Sequence, residues 1–477
     1  MRRARRLLVA PLTALTVLAL AACGGDDGAA STAGTQGSAG TVGTSDTAST
    51  SEGTSAAASS ASTSSAGTSA SATGEGSTTD ASTSATSADP TSAGTSGTSG
   101  TTAAGPTGDP TTTGVDPTGD SGTTTGGVQD PPPQKEIIFT KPMQGGLPDT
   151  AIEAKLIELF GKAVPGSSIR VSLYHWSRVD IANALIAAKQ KGVDVQVVLD
   201  GTNEDEMGVE WKAVTLLRDG LGAANVTECH DDGKFSACIG DGINHNKYFL
   251  FSELSDGSKN VVVQSSANLT TTQLRKHNNM VVIRDDAALY AAYAAYWDDL
   301  HAQKQNLDYY HSVDGDTGTK VYFYPRASGD TILSILGNVE CTPGTIRVGM
   351  AFFTDARLEI AQKLAALRGA GCDVAVILHD DAPDPGDKVL STLKGAGVGV
   401  TLYPEGPNGE GLHSKYLIIH ARYAGVDDKR FVWTGSHNYT GPALDANDET
   451  LLRLDDPGII DAFVADWLEI KALAGTF

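Results

Sequence analysis

The chain has 477 residues, and its 57 acidic and 35 basic side chains give a formal net charge of −22. Without the four arginines of residues 1–23 and the eleven acids of residues 24–134, 46 acidic residues remain against 31 basic ones, a net of −15. A body this acidic gains no long-range attraction to the phosphates of DNA or RNA. The charge argues against a nuclease, although a local basic cleft can override the global sign.

The first 22 residues resemble a bacterial lipoprotein signal peptide. The stretch MRRARR is basic, Leu7–Ala22 is apolar, and LAAC at 20–23 is similar to a lipobox. The apolar stretch contains Pro11 and is shorter than the roughly 20 residues that span a bilayer, so we prefer a signal peptide to a transmembrane helix. Cleavage would leave Cys23 as the lipid-carrying N-terminus. We expect export and lipid anchoring to the cell envelope, at the outer membrane or cell surface because no Asp follows Cys23.

Residues 23–134 consist almost entirely of Gly, Ser, Thr, Ala, Asp and Pro, and no Lys or Arg occurs among them. Such a composition cannot bury enough apolar surface to offset the entropy of the chain. We therefore predict a disordered linker over 23–134, followed by a globular part that starts near Lys135.

The globular part contains an internal duplication. The strand-like stretches SIRVSLYHW and DVQVVLDG reappear as TIRVGMAFF and DVAVILHD, and each is followed by a helix-like segment. Alternating strands and helices predict an α/β fold, with two similar α/β/α sandwich halves whose mixed sheets pack around a pseudo-two-fold axis. We divide the halves at 135–318 and 319–477. His175 and Trp176, which end the first strand of the body, could line a pocket or pack in the core.

Four cysteines follow Cys23 in this exported chain, where disulfides are permitted. Their spacings do not resemble those of zinc sites. Matching of the two halves places Cys341 and Cys372 just before neighbouring strands, so we predict that they form a bridge. We predict a second bridge between Cys229 and Cys238, in the loop before the first His-x-Lys; cross pairing is the alternative.

The duplication also repeats a polar constellation. INHNKYFLF in the first half corresponds to GLHSKYLII in the second, and VVVQSSANLT corresponds to FVWTGSHNYT. On a strand, side chains two residues apart point to the same side, so each histidine would share a cavity with its lysine. The repeated residues are His245, Lys247, Ser266 and Asn268 in the first half, and His413, Lys415, Ser436 and Asn438 in the second.

This set resembles the phospholipase D superfamily, whose motif runs His-x-Lys, four residues, Asp, then Gly-Ser-x-Asn. The resemblance implies that the two copies meet and form one active site. The chain departs from the motif at Ser252 and His420, which replace the Asp, and at Ser265, which replaces the first Gly. The tyrosyl-DNA phosphodiesterase branch also lacks this Asp, so its loss does not imply an inactive enzyme but leaves the substrate subclass open.

The residue types fit the cleavage of a phosphodiester, which needs a nucleophile, an acid and cations for the phosphoryl oxygens. Two histidines and two lysines supply all of these, so we expect no metal or other cofactor. Lys247, Lys415, Asn268 and Asn438 would hold the oxygens, with support from Ser266 and Ser436.

The roles of the histidines are predicted from the residues eleven positions after each Asn. Glu449 follows Asn438 and Asn279 follows Asn268. Members of the superfamily often place a carboxylate here, against the imidazole, and a carboxylate favours the protonated ring. We therefore predict that Glu449 pairs with His413, which acts as the acid, and that Asn279 orients His245, the nucleophile.

The leading hypothesis is a lipid-anchored phospholipase D that hydrolyses a phosphatidylcholine-like glycerophospholipid to phosphatidate and the head-group alcohol. Its partners would be the phospholipid substrate and the membrane surface, and we expect a monomer. An extracellular nuclease of the same superfamily and a catalytically silent surface-binding module are the alternatives. A cardiolipin-synthase-like transferase is disfavoured, because such proteins usually carry transmembrane helices. The sequence leaves open the head group and whether water or an alcohol is the acceptor.

Overall fold

The computed structural model describes residues 133–142, 146–204, 207–230 and 235–474. The predicted signal peptide, the proposed lipidation site Cys23 and all but the last two residues of the predicted linker lie outside the described residues. Among the described residues, no helix is both long enough and apolar enough to cross a membrane.

The first half contains seven strands and four α-helices in its described residues. The strands are β1 (Lys135–Thr140), β2 (Ser168–Leu173), β3 (Asp194–Leu199), β4 (Val226–Glu228), β5 (Lys247–Glu253), β6 (Lys259–Ser265) and β7 (Lys276–Ile283). The helices are α1 (Ala151–Lys162), α2 (Val179–Gln190), α3 (Lys212–Leu221) and α4 (Ala287–His301).

The remaining elements run from His311 to Leu473. The strands are β8 (His311–Asp314), β9 (Thr319–Phe323), β10 (Val339–Met350), β11 (Asp373–Asp380), β12 (Gly399–Pro404), β13 (Gly411–Leu412), β14 (Lys415–Tyr423), β15 (Val426–Gly435) and β16 (Thr450–Leu454). The helices are α5 (Thr331–Gly337), α6 (Leu358–Gly369), α7 (Asp387–Gly395), α8 (Gly441–Asp445) and α9 (Pro457–Leu473).

The strands of the described residues form two eight-stranded mixed sheets with the same internal order. The first sheet runs β1-β7-β6-β5-β2-β3-β4, with β13 paired to β7, and the second runs β12-β11-β10-β14-β15-β16-β9-β8. In each sheet three consecutive strands are parallel, β2-β3-β4 and β10-β11-β12. The other pairings are antiparallel, except that β13 pairs with β7 in parallel. The predicted α/β fold with two similar halves is confirmed. Strand β8, upstream of the division at 318/319, joins the second sheet.

The central strands are apolar throughout because both of their faces are covered. In β5, Phe249 and Phe251 pack in the cluster formed with α1, α2 and α3, whereas Tyr248 and Leu250 pack in the cluster formed with α4 and α9. The second cluster also includes residues of β11, β14 and β15, so α4 and α9 lie between the faces of the two sheets. A third cluster joins the outer face of the second sheet to α5, α6 and α7.

The duplication extends to the helix caps. The side chain of Asp286 accepts a hydrogen bond from the Leu289 N–H at the start of α4, and Asp456 accepts one from the Ile459 N–H at the start of α9. Such caps satisfy backbone donors that the helix itself cannot pair. The equivalent caps start the two helices that pack between the sheets.

Both predicted disulfides are present. Cys229 bonds to Cys238, and Cys341 bonds to Cys372. The first bridge closes a short loop between β4 and the segment that leads to β5. The second joins the start of β10 to the turn before β11, the two neighbouring strands that the sequence indicated.

The halves exchange backbone hydrogen bonds where the polar motifs begin. Strand β13 pairs in parallel with β7 of the first sheet, through Gly411 with Lys276 and Leu412 with His277. A single bridge joins Asn244 to Asp448 in the equivalent place of the first half. Each His-x-Lys segment is therefore attached to the opposite half, one residue before its histidine.

Candidate active site

His245 is in direct contact with the second half. Its N–H donates to the carbonyl of Asp448 at 3.0 Å, and its Nδ1 donates to Glu449 Oε1 at 2.8 Å. Both side chains are fully buried, with 1% and 0% of their surface exposed. A buried carboxylate at this distance fixes the tautomer with hydrogen on Nδ1 and orients the Nε2 nitrogen.

His413 makes the corresponding contacts with the first half. Its N–H donates to the carbonyl of His277 at 2.9 Å, and its Nδ1 is 2.9 Å from Asn278 Oδ1. The amide of Asn278 donates through Nδ2 to Gln273 Oε1 at 3.0 Å, so its oxygen faces the imidazole and accepts the Nδ1 hydrogen. His413 is therefore oriented by a neutral group, and Nε2 is the nitrogen assigned to proton exchange.

The predicted partners of the histidines are wrong. Glu449 pairs with His245 of the opposite half and not with His413 of its own half. Asn279 contacts neither imidazole, since its Nδ2 donates to Thr434 Oγ1 at 2.7 Å. The physical reason is that the segments before β5 and β14 each pair with the opposite half, which brings each histidine beside the other half's post-motif strand.

The residue equivalent to Glu449 is Asn278, one position before the predicted residue. The Ser266 N–H donates to Asn279 O, and the Ser436 N–H donates to Thr450 O, which makes Asn279 equivalent to Thr450. Twelve residues separate Ser266 from Asn278, whereas thirteen separate Ser436 from Glu449. The prediction placed both partners at the same spacing from their motif, so it missed this one-residue difference between the loops. Side chains one position apart point to opposite faces of a strand, so the predicted residue faces away from the histidine.

The two motif serines support these partners. Ser266 Oγ donates to Asn278 Oδ1 at 3.0 Å, and Ser436 Oγ donates to Glu449 Oε2. Each hydroxyl also lies within hydrogen-bond distance of the backbone of the following strand. The serines thus hold the amide or carboxylate that orients the opposite histidine.

The two lysines fold back onto their own motif. Lys247 Nζ donates to the carbonyl of His245, and Lys415 Nζ donates to the carbonyl of His413, both at 2.8 Å. Lys415 Nζ is also 3.2 Å from each of the two nitrogens of the His413 ring, which places it over the ring. Both ammonium groups are buried, and such buried charges strengthen local electrostatic interactions with an anion.

The motif asparagines have polar atoms that no protein group satisfies. Both side-chain atoms of Asn268 and the Oδ1 atom of Asn438 are buried without a hydrogen-bond partner, and the residues are only 2% and 3% exposed. Buried polar groups in folded proteins are normally paired, so unpaired ones call for a ligand or a functional explanation. These amides are suited to hold the oxygens of a bound phosphoryl group.

The positions that replace the motif Asp lie away from the histidines. Ser252, near the far end of β5, accepts the Ser168 N–H at 2.8 Å through its Oγ. His420, near the far end of β14, pairs with Asp428 at 2.6 Å, and both side chains are exposed. Neither replacement alters the histidine contacts described above.

Aromatic and imidazole rings that the sequence did not assign also contact the site. The ring of Tyr174 meets His245 edge to face at 5.3 Å and stacks on His175 at 3.5 Å, and His175 meets Trp211 at 4.6 Å. Trp176, in contrast, packs in the outer core. His175 thus belongs to the row of rings beside His245, and the sequence offered only its place at a strand end.

His437 lies between Ser436 and Asn438 and is fully buried. Burial lowers the pKa of this imidazole well below its usual value. Its ring packs 4.5 Å from Tyr324. The ring is therefore neutral.

Two groups of side chains in the described residues have metal-ligand composition. Cys229, Cys238 and Asp448 form one group, but both thiols are consumed in the disulfide. His379, Asp381 and Glu405 form the other. His379 Nδ1 lies 3.4 Å from the Leu412 N–H, and its Nε2 lies 3.1 Å from Glu405 Oε2, so both ring nitrogens face protein groups.

Comparisons with known proteins agree with this arrangement. The family described as "Cardiolipin synthase, PLD-like domain" matches residues 156–301 and 340–469, one segment in each half. Phosphatidylserine synthase from Haemophilus influenzae Rd KW20 is 15% identical, with a TM-score of 0.50 over 71% of this chain and 86% of that chain. No curated protein matches the chain.

Two other solved structures match with lower TM-scores. Nuc from Salmonella typhimurium, a phospholipase D family member, is 22% identical, with a TM-score of 0.26 over 35% of this chain and 95% of that chain. Polyphosphate kinase from Porphyromonas gingivalis is 13% identical, with a TM-score of 0.46 over 70% of this chain; the match spans 50% of the kinase.

The two segments that match the family make up more than half of the chain and contain both His-x-Lys pairs, both Ser-x-Asn pairs and Glu449. The crossed contacts at His245 and His413 bring the two segments together at the level of single side chains. The chain belongs to the phospholipase D superfamily of phosphodiesterases, in the family described as the PLD-like domain of cardiolipin synthase.

Proposed function

We propose that the protein hydrolyses a glycerophospholipid of the phosphatidylcholine type to phosphatidate and the head-group alcohol, through a phosphohistidine. The observation that carries the proposal is the crossed pair of hydrogen bonds, from His245 to Glu449 and from His413 to Asn278. They give the two otherwise similar imidazoles different partners, one charged and one neutral.

In the first step, His245 Nε2 attacks phosphorus. A P–N bond forms, the P–O bond to the head group breaks, and the proton on His413 Nε2 passes to the leaving oxygen. Glu449 stabilises the positive charge that develops on the His245 ring as it becomes phosphorylated. We keep His245 as the nucleophile and His413 as the acid. The sequence assigned these roles from a carboxylate beside His413, whereas Glu449 lies beside His245.

In the second step, water attacks the phosphohistidine. His413 Nε2 takes the proton of the water, an O–P bond forms and the P–N bond breaks, which returns His245 to its starting state. Lys247, Lys415 and the amides of Asn268 and Asn438 would bind the phosphoryl oxygens in both steps. The buried, unpartnered amide atoms support this role.

A lipid substrate is favoured over a nucleic acid by two observations. The body from Lys135 onward carries a net charge of −15, which repels a polyanion. The description of the matching family names cardiolipin synthase, and the solved structure that matches with a TM-score of 0.50 is that of a phosphatidylserine synthase. Export with a lipid on Cys23 would keep the active site near a bilayer, and the two disulfides support an oxidising compartment.

A second candidate is transfer of the phosphatidyl group to an alcohol instead of water. The names of the same two relatives favour it, since both are synthases. The first step would be unchanged. In the second step, His413 would deprotonate an alcohol, and the product would be a new phosphodiester.

The experiment compares wild type with His245→Gln and His413→Ala. Choline release from phosphatidylcholine vesicles is measured beside degradation of plasmid DNA, with and without added glycerol. The exposed His420 provides the matched control, and His420→Ala should keep the wild-type rate. We expect choline release that both active-site variants lose, and base-stable phosphate on His245 after rapid quenching. Consumption of DNA alone would refute the lipid substrate, and normal rates in His245→Gln would refute the mechanism.

A further inference from the structure

The segment before each catalytic histidine is held at equivalent positions, by a backbone carbonyl of the opposite half and by a side chain of its own half. The His245 N–H donates to Asp448 O, and the His413 N–H donates to His277 O. One residue earlier, the Asn244 N–H donates to an Asp200 carboxylate oxygen at 2.7 Å. At the matching place in the second half, the Leu412 N–H faces His379 Nδ1 at 3.4 Å. The duplication therefore makes Asp448 equivalent to His277, and Asp200 equivalent to His379.

The equivalent side chains differ in charge around the two histidines. Three buried acids accompany the His245 segment, whereas two imidazoles and an amide accompany His413. The acids are Asp200, Asp448 and Glu449, and their equivalents are His379, His277 and Asn278. Such a consistent difference between copies of one duplicated site indicates that the copies have been specialised.

Among these acids, Asp448 holds three consecutive backbone N–H groups. Its carboxylate accepts the N–H groups of Cys238 at 2.7 Å, Ile239 at 3.2 Å and Gly240 at 2.7 Å. The side chain of His277, in contrast, contacts Tyr403 Oη through Nε2 at 3.1 Å and binds no backbone N–H groups of a loop in the described residues. Asp448 thus clamps the loop before His245 from the opposite half.

The clamped loop has little freedom to move. The disulfide attaches Cys238 to Cys229 beside β4. A Cβ atom on Gly240 would lie 1.9 Å from Ala446 O, so the two backbones touch. The N–H groups of Asp241 and Gly242 also donate to Ala446 O, both at 3.0 Å. The contacts of the loop with Ala446 and Asp448 thus lead to the residues directly before Glu449, while the disulfide and the Asn306 N–H, which donates to Ile239 O, hold it to the first half.

We propose that Asp448 is a positioning residue for His245. Its carboxylate fixes the loop Cys238–Gly240 against the second half, and the same residue fixes His245 through its carbonyl and precedes Glu449 in the chain. Loss of the carboxylate should therefore displace the imidazole relative to its carboxylate partner and to the phosphoryl group. The proposal rests on the proposed function, in which His245 attacks phosphorus.

The experiment uses Asp448→Asn, which keeps the side-chain volume but offers one acceptor oxygen in place of two. Asp286→Asn is the matched control, because Asp286 is also a fully buried carboxylate that accepts backbone N–H groups, at the start of α4. Three quantities are measured in the full chain: single-turnover release of p-nitrophenol from bis(p-nitrophenyl) phosphate, the Kd of inorganic phosphate and the Tm.

We expect Asp448→Asn to slow single turnover on the order of 10- to 100-fold, the scale of a catalytic group displaced by a fraction of an ångström to 1 Å. The Kd of phosphate should stay within about twofold, since the lysines and asparagines that bind it are untouched. Asp286→Asn should lower the Tm and leave single turnover unchanged. Equal single-turnover rates for Asp448→Asn and wild type would overturn the proposal.

If Asp448→Asn does not yield folded protein, the double variant Cys229→Ala/Cys238→Ala loosens the same loop and leaves the carboxylate in place. It should slow single turnover several-fold at unchanged phosphate affinity, and an unchanged rate would refute the clamp. Failure of the proposed function looks different: wild type would then not turn over the diester, or His245→Gln would remain active.

Discussion

Glu449 and Asn278 decide how two similar histidines differ. Both side chains accept a hydrogen bond from a motif serine and from the Nδ1 atom of the opposite histidine. They differ in charge, besides the one additional methylene of the glutamate. A carboxylate lowers the energy of a positively charged imidazole, and an amide only orients the ring. At the scale of a residue, this single difference separates the proposed nucleophile from the proposed acid.

Glu449→Gln should therefore lower kcat by roughly 10²- to 10⁴-fold, the range seen when the carboxylate of a histidine pair is neutralised or proton transfer is impaired. The amide keeps an acceptor for His245 Nδ1, so the geometry should change little. KM should change little as well, because Glu449 is assigned no contact with the phosphoryl group. Steady-state kinetics on bis(p-nitrophenyl) phosphate test this, with Asp286→Asn as the control. A loss carried by KM would contradict it.

At the scale of elements, α9 carries a carboxylate into the layer between the sheets. Asp466 is 5% exposed and accepts a hydrogen bond from Tyr416 Oη of β14 at 3.1 Å. Burial raises the pKa of Asp466 to about 7 from 3.8. The folded chain therefore holds a proton on this group between about pH 4 and pH 7 that the unfolded chain has released, so stability falls as pH rises through this window.

Asp466→Asn should remove this pH dependence. We expect the variant to gain in unfolding free energy relative to wild type from pH 5 to pH 8, by no more than about 3 kcal/mol for a pKa of about 7, and its Tm to rise accordingly. Thermal unfolding at several pH values measures it. Asp461→Asn, on the exposed side of α9, should give a Tm difference that does not change with pH. Curves of Tm against pH that run parallel for wild type and Asp466→Asn would show the prediction to be wrong.

The two disulfides lie in different surroundings and should have separable effects. The Cys229–Cys238 bridge closes 9 residues beside the His245 loop, and the Cys341–Cys372 bridge closes 31 residues at the outer end of the second sheet. Chain-entropy arguments give roughly 2.5 kcal/mol for the shorter loop and 3.5 kcal/mol for the longer one.

Replacement of each cysteine pair by alanine should therefore affect the Tm and kcat in opposite orders. Removal of Cys341–Cys372 should lower the Tm more, and removal of Cys229–Cys238 should lower kcat more. Both variants are compared by calorimetry and by choline release at a temperature where they remain folded. The same loss of kcat in both would contradict the separation, and each variant serves as the control for the other.

At the scale of the whole molecule, one chain supplies both histidines and both of their partners. The halves are joined by contacts between their own residues, as in the pairing of β13 with β7. A complete set of crossed contacts within one chain means that a second copy is not needed to finish the site. This agrees with the expectation of a monomer, which stays a prediction.

Equimolar mixing of His245→Ala and His413→Ala chains should therefore not restore activity. Each chain lacks one of the two imidazoles of its active site. The remaining imidazole is held by its partner residue within its own chain, so it does not complete the site of the other chain. Choline release is measured over a range of total protein concentrations. Recovery of up to half the wild-type rate, increasing with concentration, would contradict the prediction and indicate exchange of halves between chains.

The sequence by itself determined the duplication and the α/β class, and the matching of its halves predicted the two disulfides that the structure contains. Repeated apolar strands and repeated polar motifs are local patterns, and spacing along the chain records them directly. The same patterns placed His245 and His413 at the heads of two apolar strands, and in the structure they lie two residues before β5 and β14.

Tertiary structure alone decided which partner each histidine has. The pairing of Glu449 with His245 depends on how two sheets pack, and no local pattern in either half specifies a contact across 204 residues. The choice of Asn278 over Asn279 depends on a one-residue difference in a loop, which a strand converts into a change of face. Asp448 became visible for the same reason, because its hydrogen-bond donors lie 208 to 210 residues away in the other half.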